Sequence, residues 1–229
     1  INGGPIEVLF LTYDSLLVDD INVIQWPLGV ATYRHFPLVK DDDVSTRTDR
    51  RYLCNFLGTV YTNSSREILM KAVKGTLGKL CYIQGRDKWK AEETISSMSA
   101  YVSVVSQSDL TLCPVGINSE CYRLYEAMSM GSVPVVEMKA GIVPGQCSTK
   151  QGPLRLLKKY HAPFIPLTDW NYLPVILKDF HQLTAKEKAM RRMAVRRWYI
   201  QFCKKLNDKF VNIIYAKIMT NIASNSQQS

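Results

Sequence analysis

Glu120, Arg123 and Glu126 lie within seven positions of one another and supply the side chains that a sugar-nucleotide site needs. A carboxylate can accept two sugar hydroxyls, and the planar Arg fork can clamp a diphosphate through paired hydrogen bonds. Helical periodicity from Ser119 to Met130 sets Cys121, Leu124, Tyr125 and Met128 on a sheet-facing side, with Arg123 and Glu126 opposite and Glu120 at the flank. The bland alternative is a solvated i, i+3 ion pair, worth about a few tenths of a kcal/mol. The chemical reading requires that polar side to face a cleft, and so a second domain across from it.

The elements that position these residues follow from patterning. From Tyr52 onward, short β-branched and aromatic runs alternate with helical periodicity, the signature of βαβ units and a parallel sheet. Strands are predicted at Tyr52–Tyr61, Lys79–Ile83, Leu110–Cys113, Val133–Val136 and Phe164–Leu167. Helices are predicted from a capping box at Ser64-x-x-Glu67 to Gly75, from Ala91 to Ser106, from Ser119 to Met130, and from Leu154 to Tyr160. A last helix opens at a second capping box, Thr184-x-x-Glu187, and carries Trp198, Phe202, Leu206, Phe210, Ile213, Ile214 and Ile218 as a core-docking stripe. Glu7–Leu11 reads as a further strand whose sheet the sequence does not identify. In an open parallel sheet, ligands sit beyond the carboxyl ends of the strands, where helix N-termini present unpaired N–H groups. The loops of interest are therefore Gly58-Thr59, Gly85-Arg86 and Pro114 to Ser119, with Gly116 admitting close backbone approach. Residues 1–50 read as an inter-lobe connection or the remnant of another lobe, 51–182 as a Rossmann-like domain, 183–222 as a basic amphipathic helix, and 223–229 as a disordered tail.

Composition narrows the function classes. At 229 residues with 46% hydrophobic and 21% charged residues, the chain can bury a core without staples, and disorder, collagen and coiled coil are set aside. No apolar run is long enough to cross a membrane; the chain opens at Ile1 without a Met and is read as a fragment whose anchor or upstream domain lies outside it. Of the net charge of +9, much sits between Ala185 and Lys209, where nine basic residues face only Glu187 and Asp208. That stripe is read first as a solvated helix face and second as a polyanion-binding surface. The rest of the chain is near neutral, which argues against nucleic acid as a partner. His35, His161 and His181 lie far apart and no Cys-x-x-Cys occurs, so no zinc spacing is present. Cys54, Cys81 and Cys113 fall in strand-like runs and are expected as buried free thiols, whereas Cys121 and Cys147 are better disulfide candidates. Asn63-Ser64-Ser65 is a glycosylation sequon, relevant only in a secretory lumen.

The run Ser108-Asp109-Leu110-Thr111-Leu112-Cys113-Pro114-Val115-Gly116, followed by Glu120 to Ala127 and by Gly131-Ser132-Val133-Pro134-Val135-Val136, resembles the donor-binding signature of exostosin-type glycosyltransferases. The segments Gln25 to Arg34, Tyr52 to Thr59, Asn63 to Arg66 and Ala162 to Ile165 are similar to the carboxyl-terminal half of the ribitol-5-phosphate xylosyltransferase family, in order over about residues 8 to 215. The resemblance implies an α/β fold, the Rossmann-like nucleotide-binding lobe of a two-lobed GT-B enzyme with helices on both faces of its sheet and a long C-terminal helix. It implies a Golgi type II membrane protein that uses UDP-xylose as a substrate, phospho-ribitol on an O-mannosyl glycan of α-dystroglycan as acceptor, other Golgi glycan-assembly enzymes as partners, and no metal or other cofactor. Carried onto this chain, Glu126 binds ribose or donor-sugar hydroxyls and Arg123 the diphosphate. Arg66 and Arg86 become further anion clamps, with a surface salt bridge as the alternative for each, and Gly58, Thr59, Pro114, Gly116 and Glu120 complete the donor loops. Asn118 stands where the first of the family's paired glutamates falls. An inverting transfer also needs a general base, which two-lobed enzymes commonly take from the other lobe, and no residue here is assigned that role.

Two rival readings remain at this level. Asp41-Asp42-Asp43 resembles the Asp-x-Asp of the other glycosyltransferase fold, in which Asp41 and Asp43 hold Mn²⁺. The basic final helix alternatively makes the chain a non-catalytic sugar- or polyanion-binding module.

Overall fold

The computed structural model describes residues 6–39, 49–90, 92–139 and 153–226, without the side chains of residues 76 and 220–226. Asp41, Asp42, Asp43, Cys147 and the start of the helix expected at Ala91 fall outside the described residues.

Five parallel strands, β3 (Tyr52–Thr59), β4 (Tyr82–Arg86), β5 (Ser108–Cys113), β6 (Val133–Glu137) and β7 (Ile165–Leu167), form one sheet in the order β4-β3-β5-β6-β7. β5 and β6 are buried along their whole length. Burial at every position, polar ones included, is what a strand covered on both faces shows. One polar stitch crosses this core: the Asn55 amide donates to Thr111 Oγ1 (2.8 Å), and Thr111 in turn bonds the Ser132 hydroxyl (2.7 Å). The helical cover falls into two packed groups, α1 (Ser65–Ala72) with α5 (Leu173–His181), and α2 (Ile95–Ser106) with α3 (Tyr122–Ser129) and α6 (Ala185–Ser226). The short α4 (Arg155–Lys159) precedes β7. Helices thus cover both faces of the sheet, the Rossmann-like arrangement expected. The apolar core runs from Phe56, Leu110 and Leu112 in the sheet to Leu124, Met128, Trp170 and Phe202 on the helices. Each such fully buried side chain contributes about 1.5–3 kcal/mol.

Residues ahead of β3 form a separate pair of parallel strands, β1 (Leu9–Thr12) and β2 (Val23–Trp26), that docks on the same core through Trp26, Leu28 and Val30. Phe36 adds a second small cluster with Met98, Val105 and Met130. The described part of this segment therefore packs on the same core as the five-stranded sheet.

Several expectations are corrected. Cys54 and Cys81 are joined in a disulfide instead of being free thiols: the β3–β4 register pairs Asn55 with Tyr82, which places the preceding two cysteines side by side with Cα atoms 4.5 Å apart. Cys121 carries a free thiol, as do Cys113 and Cys203. The Ser64 box does not form: Ser64 Oγ donates to the Tyr61 carbonyl, and Glu67 reaches one residue further back, accepting from the Asn63 N–H (2.9 Å). The Thr184 box is reciprocal, with Glu187 N–H donating to Thr184 Oγ1 and Thr184 N–H to Glu187 Oε2. Periodicity missed α5, and α6 continues through 223–226, which were expected to be disordered. The stripe on α6 packs through Trp198, Phe202 and Leu206, but Phe210 only rests against Phe10 and Trp26, and Ile214 and Ile218 are exposed. Among the described residues, no helix is long and apolar enough to cross a membrane.

Candidate functional site

Chain order reverses across the sheet between β3 and β5, since β4 lies to one side of β3 and β5, β6 and β7 to the other. Such a switch point opens a crevice at the carboxyl ends of its two strands. A cleft of about 290 Å³ lies there, lined at its floor by Leu57, Gly58 and Thr59 from the end of β3 and by Gln84 and Arg86 from the end of β4. α3 supplies Tyr122, Arg123 and Glu126, with Cys121 at its N-cap. Arg66 comes from α1 and Tyr101 from α2.

Of the residues singled out from sequence, the fold brings Gly58, Thr59, Arg66, Arg86, Arg123 and Glu126 to this one cleft. Arg123 Nη2 donates to the Leu57 carbonyl (2.6 Å) and its guanidinium lies 4.9 Å over the Phe56 ring. Arg66 Nη1 donates to the Thr59 carbonyl (2.8 Å). Burial, then the neighbouring Arg123 charge, holds Arg66 below its ordinary pKa. Neither guanidinium forms an ion pair with a carboxylate among the described residues. Both glycines have a steric reason. A Cβ on Gly58 would stand 2.6 Å from Arg123 Nη2, and one on Gly116 would stand 2.6 Å from Arg66 Nη2. Gly116 thus belongs to the site by making room for Arg66, although neither it nor Pro114 lines the cleft.

Glu126 is buried, accepting from Tyr101 Oη (2.7 Å) and from the Ala31 N–H (3.4 Å). Burial raises its pKa against the Tyr101 hydrogen bond and the Arg123 charge. Burial, with the Glu126 charge, also keeps Tyr101 protonated as a donor. A carboxylate has about four lone-pair directions, so Glu126 retains acceptor capacity for a pair of hydroxyls. Cys121 is lowered to about 6, first by the hydrogen bond from Cys113, against burial and with the help of Arg123 and Arg66.

Glu120 is placed elsewhere. Its buried carboxylate accepts from the Leu28 N–H (2.9 Å) and from Tyr125 Oη, which ties α3 to the β1–β2 segment and leaves it off the cleft lining. The helix starts later than expected, at Tyr122, so Glu120 precedes it and is held by these bonds against the segment that follows β2. Arg86 is less available than expected, since Glu93 Oε1 accepts from both Arg86 Nη1 (2.6 Å) and Arg34 Nη2 (2.7 Å). Burial pushes Glu93 up, and the Arg86 and Ser97 hydrogen bonds with the two arginine charges more than offset it, leaving it lowered. Asn63 is exposed and off the cleft lining.

Arg34, Tyr101 and Glu93 escaped the sequence reading. Each is brought in from a distant segment, and none stands in a spacing that would mark it. Glu137 also escaped. At the end of β6 and fully buried, it accepts from Ser65 Oγ (2.7 Å), the Val115 N–H (2.9 Å) and Trp170 Nε1 (3.0 Å), so it pins the β5–α3 loop to the start of α1 and fixes where Gly116 meets Arg66. The basic stripe on α6 is partly internal: Arg192 pairs with Asp109, and Arg196 donates to the Ser129 (2.8 Å) and Val39 (3.0 Å) carbonyls, both arginines being buried. That removes two of the charges on which a polyanion-binding face would depend. Among the described residues no group of three or more His, Cys, Asp or Glu is arranged to hold a metal ion.

A family model described as the RXYLT1 C-terminal domain matches residues 33–219. The chain is 51% identical over 215 residues to ribitol-5-phosphate xylosyltransferase 1 of Danio rerio, an overlap covering 93% of this chain and 49% of that protein. To the protein of the same name from Homo sapiens it is 48% identical, over 96% of this chain and 50% of the relative, and to that of Mus musculus 45% identical, over 96% and 50%. The chain thus spans about half the length of the curated relatives it matches. With a match running from the Tyr33-Arg34 turn through the cleft and along most of α6, the chain belongs to the RXYLT1 C-terminal domain family.

Proposed function

We propose that this chain is the nucleotide-sugar-binding lobe of a xylosyltransferase that moves xylose from UDP-xylose to ribitol-5-phosphate of the O-mannosyl glycan on α-dystroglycan. One observation carries the reading: at the switch point of the sheet, two half-buried guanidiniums without carboxylate partners, Arg66 and Arg123, stand beside a buried carboxylate, Glu126, in a single cleft. The names of the relatives supply xylosyl transfer and ribitol-5-phosphate. The pairing of two cations with one hydroxyl-binding carboxylate suits a nucleoside diphosphate sugar as donor.

In this reading Glu126 accepts the ribose hydroxyls while Arg66 and Arg123 hold the diphosphate above the N-terminus of α3. As UDP departs, negative charge builds on its phosphate. The two guanidiniums and the helix N–H groups stabilise that charge more in the transition state than in the ground state, which is the condition for catalysis. The transfer inverts, needs no metal, and takes its general base from outside this lobe. The Cys54–Cys81 disulfide and the exposed Asn63 sequon favour an oxidising lumen, in keeping with a Golgi enzyme anchored through a segment outside this chain and working beside other glycan-assembly enzymes.

Titration calorimetry with UDP-xylose in EDTA tests the reading. Binding in EDTA, lost in Glu126→Gln, supports it. Binding that appears only on adding Mn²⁺ would overturn its metal independence and restore the Asp41/Asp43 alternative. No binding under either condition would overturn the donor site itself.

A further inference from the structure

Beyond Arg66 and Arg123, the cleft holds a second pair of guanidiniums that donor binding does not use. Arg34, on the turn Thr32–Arg34, and Arg86, at the end of β4, donate to one and the same oxygen, Glu93 Oε1, at 2.7 and 2.6 Å. Arg34 Nη2 also donates to the Lys90 carbonyl (3.1 Å), and Arg86 Nε to Thr59 Oγ1 (3.3 Å). Arg34 Nη1 and Arg86 Nη2 have no protein acceptor among the described residues. Two cations thus share one carboxylate, and one positive charge of the three is left over. With side chains only 15%, 33% and 14% exposed for Arg34, Arg86 and Glu93, that surplus is screened less than it would be on an open surface. Thr59 joins the two pairs, since its carbonyl accepts from Arg66 and its hydroxyl from Arg86. Trp89, more than half exposed and one position before Lys90, gives the same cleft an apolar face.

We propose that Arg34 and Arg86, braced by Glu93, form an acceptor subsite that holds the phosphate of a phosphorylated polyol, with Trp89 offering its indole to the carbon chain. Charge decides the ligand class. A ribitol phosphate joined to a glycan is a phosphodiester with a single negative charge, which is what the Arg34, Glu93 and Arg86 trio lacks. A nucleoside diphosphate is more highly charged and finds two guanidiniums without carboxylate partners at Arg66 and Arg123. Guanidinium donors suit phosphate oxygens in both places.

The placement follows from the transfer itself. An acceptor hydroxyl must come within reach of the sugar carbon bonded to the diphosphate, so a charged acceptor and a charged donor are forced together. Their repulsion is offset when each anion has its own cations, side by side and separately held. The acceptor role rests on the donor-site reading, whereas phosphate binding rests only on Arg34, Arg86 and Glu93.

Titration calorimetry on the full chain tests the subsite with two probes, UDP-xylose and the diester ribitol 5-(methyl phosphate), and with free ribitol as control. The diester should bind at least about tenfold more tightly than ribitol, and saturating UDP should leave its site open. Arg34→Gln should weaken the diester by about tenfold while changing UDP-xylose affinity less than about twofold. Glu93→Gln keeps an acceptor oxygen between the two arginines and removes the opposing charge, so the diester should bind about threefold more tightly or better. A merely structural brace would give no such gain. Absence of diester binding in the wild type, or diester binding indifferent to both substitutions, would overturn the subsite. Displacement of the diester by UDP, or an equal loss of UDP-xylose affinity in Arg34→Gln, would return the pair to the donor and overturn the acceptor role. Diester binding that Arg34→Gln weakens, in a chain that binds no UDP-xylose, would leave the phosphate subsite standing and sink the donor reading. UDP-xylose binding without diester binding would do the reverse.

Discussion

The two ends of α3 use arginine in opposite ways. At the C-terminal end, Arg196 donates to the Ser129 carbonyl and Arg50 to those of Ser108 and Met130 (2.8 Å each), while Arg192 pairs with Asp109. Cations there meet the negative end of the helix dipole and the carbonyls that have no partner within the helix, so their charge is spent on holding α6 and β3 against α3. At the N-terminal end, Arg66 and Arg123 meet the positive end of the same dipole; each donates to one backbone carbonyl at the end of β3 and lies over an aromatic ring, Tyr61 and Phe56 respectively. Cations gathered where the helix already favours anions cost stability unless something negative arrives. The contrast separates a structural set of arginines from the set that the donor-site proposal assigns to a ligand, although both sets look alike as letters in the sequence.

Breaking the structural end should have the largest effect. Arg192→Met leaves the buried Asp109 carboxylate without its cation and should cost about 3–5 kcal/mol of unfolding free energy by denaturant titration, with UDP-xylose affinity of the folded protein unchanged. A loss of affinity without a loss of stability would dissolve the distinction. At the other end, Arg123→Lys keeps the charge and gives up the planar fork. It should weaken UDP-xylose binding about tenfold, or about 1.4 kcal/mol, with little change in the denaturant midpoint. Gly58→Ala and Gly116→Ala probe the same end more gently. Each added methyl displaces a guanidinium tip and not backbone, so binding should fall a few-fold by calorimetry while the thermal midpoint holds.

A smaller, pH-dependent effect probes Glu120, whose carboxyl is buried like that of Glu126 but lies off the cleft lining. Burial raises the Glu120 carboxyl, against its bonds from Leu28 N–H and Tyr125 Oη. The folded chain therefore holds that proton more tightly than the unfolded one. The contribution is complete at pH below the ordinary carboxylate range and is lost as pH rises through the raised value. The stability of the wild type relative to Glu120→Gln should shrink from about pH 4 toward neutrality, with UDP-xylose binding little altered. A difference that grows with pH would contradict the assignment.

The sheet was legible because short β-branched and aromatic runs alternate with helical periodicity and because Gly131 and the Thr184 box punctuate the chain as local rules require. The site was legible to the extent that Arg123 and Glu126 share a helix face. The rest depended on distance along the chain. Glu93 gathers Arg34 from 59 positions away, Tyr101 reaches Glu126 across 25, and Arg192 reaches Asp109 across 83. None of these separations leaves a local pattern. The Cys54–Cys81 bridge was hidden for a related reason, since it follows from strand register and not from cysteine spacing. The Ser64 box is absent: Glu67 N–H donates to the Ser64 carbonyl instead of to its hydroxyl, which itself donates to the Tyr61 carbonyl.

The most direct test of the account is a crystal of this chain soaked with UDP-xylose in EDTA. The account predicts density in the cleft at the carboxyl ends of β3 and β4, with diphosphate oxygens within hydrogen-bond reach of Arg66 and Arg123 and ribose hydroxyls on Glu126. A nucleotide seated instead on the exposed basic residues of α6, such as Arg191 and Arg197, would contradict it.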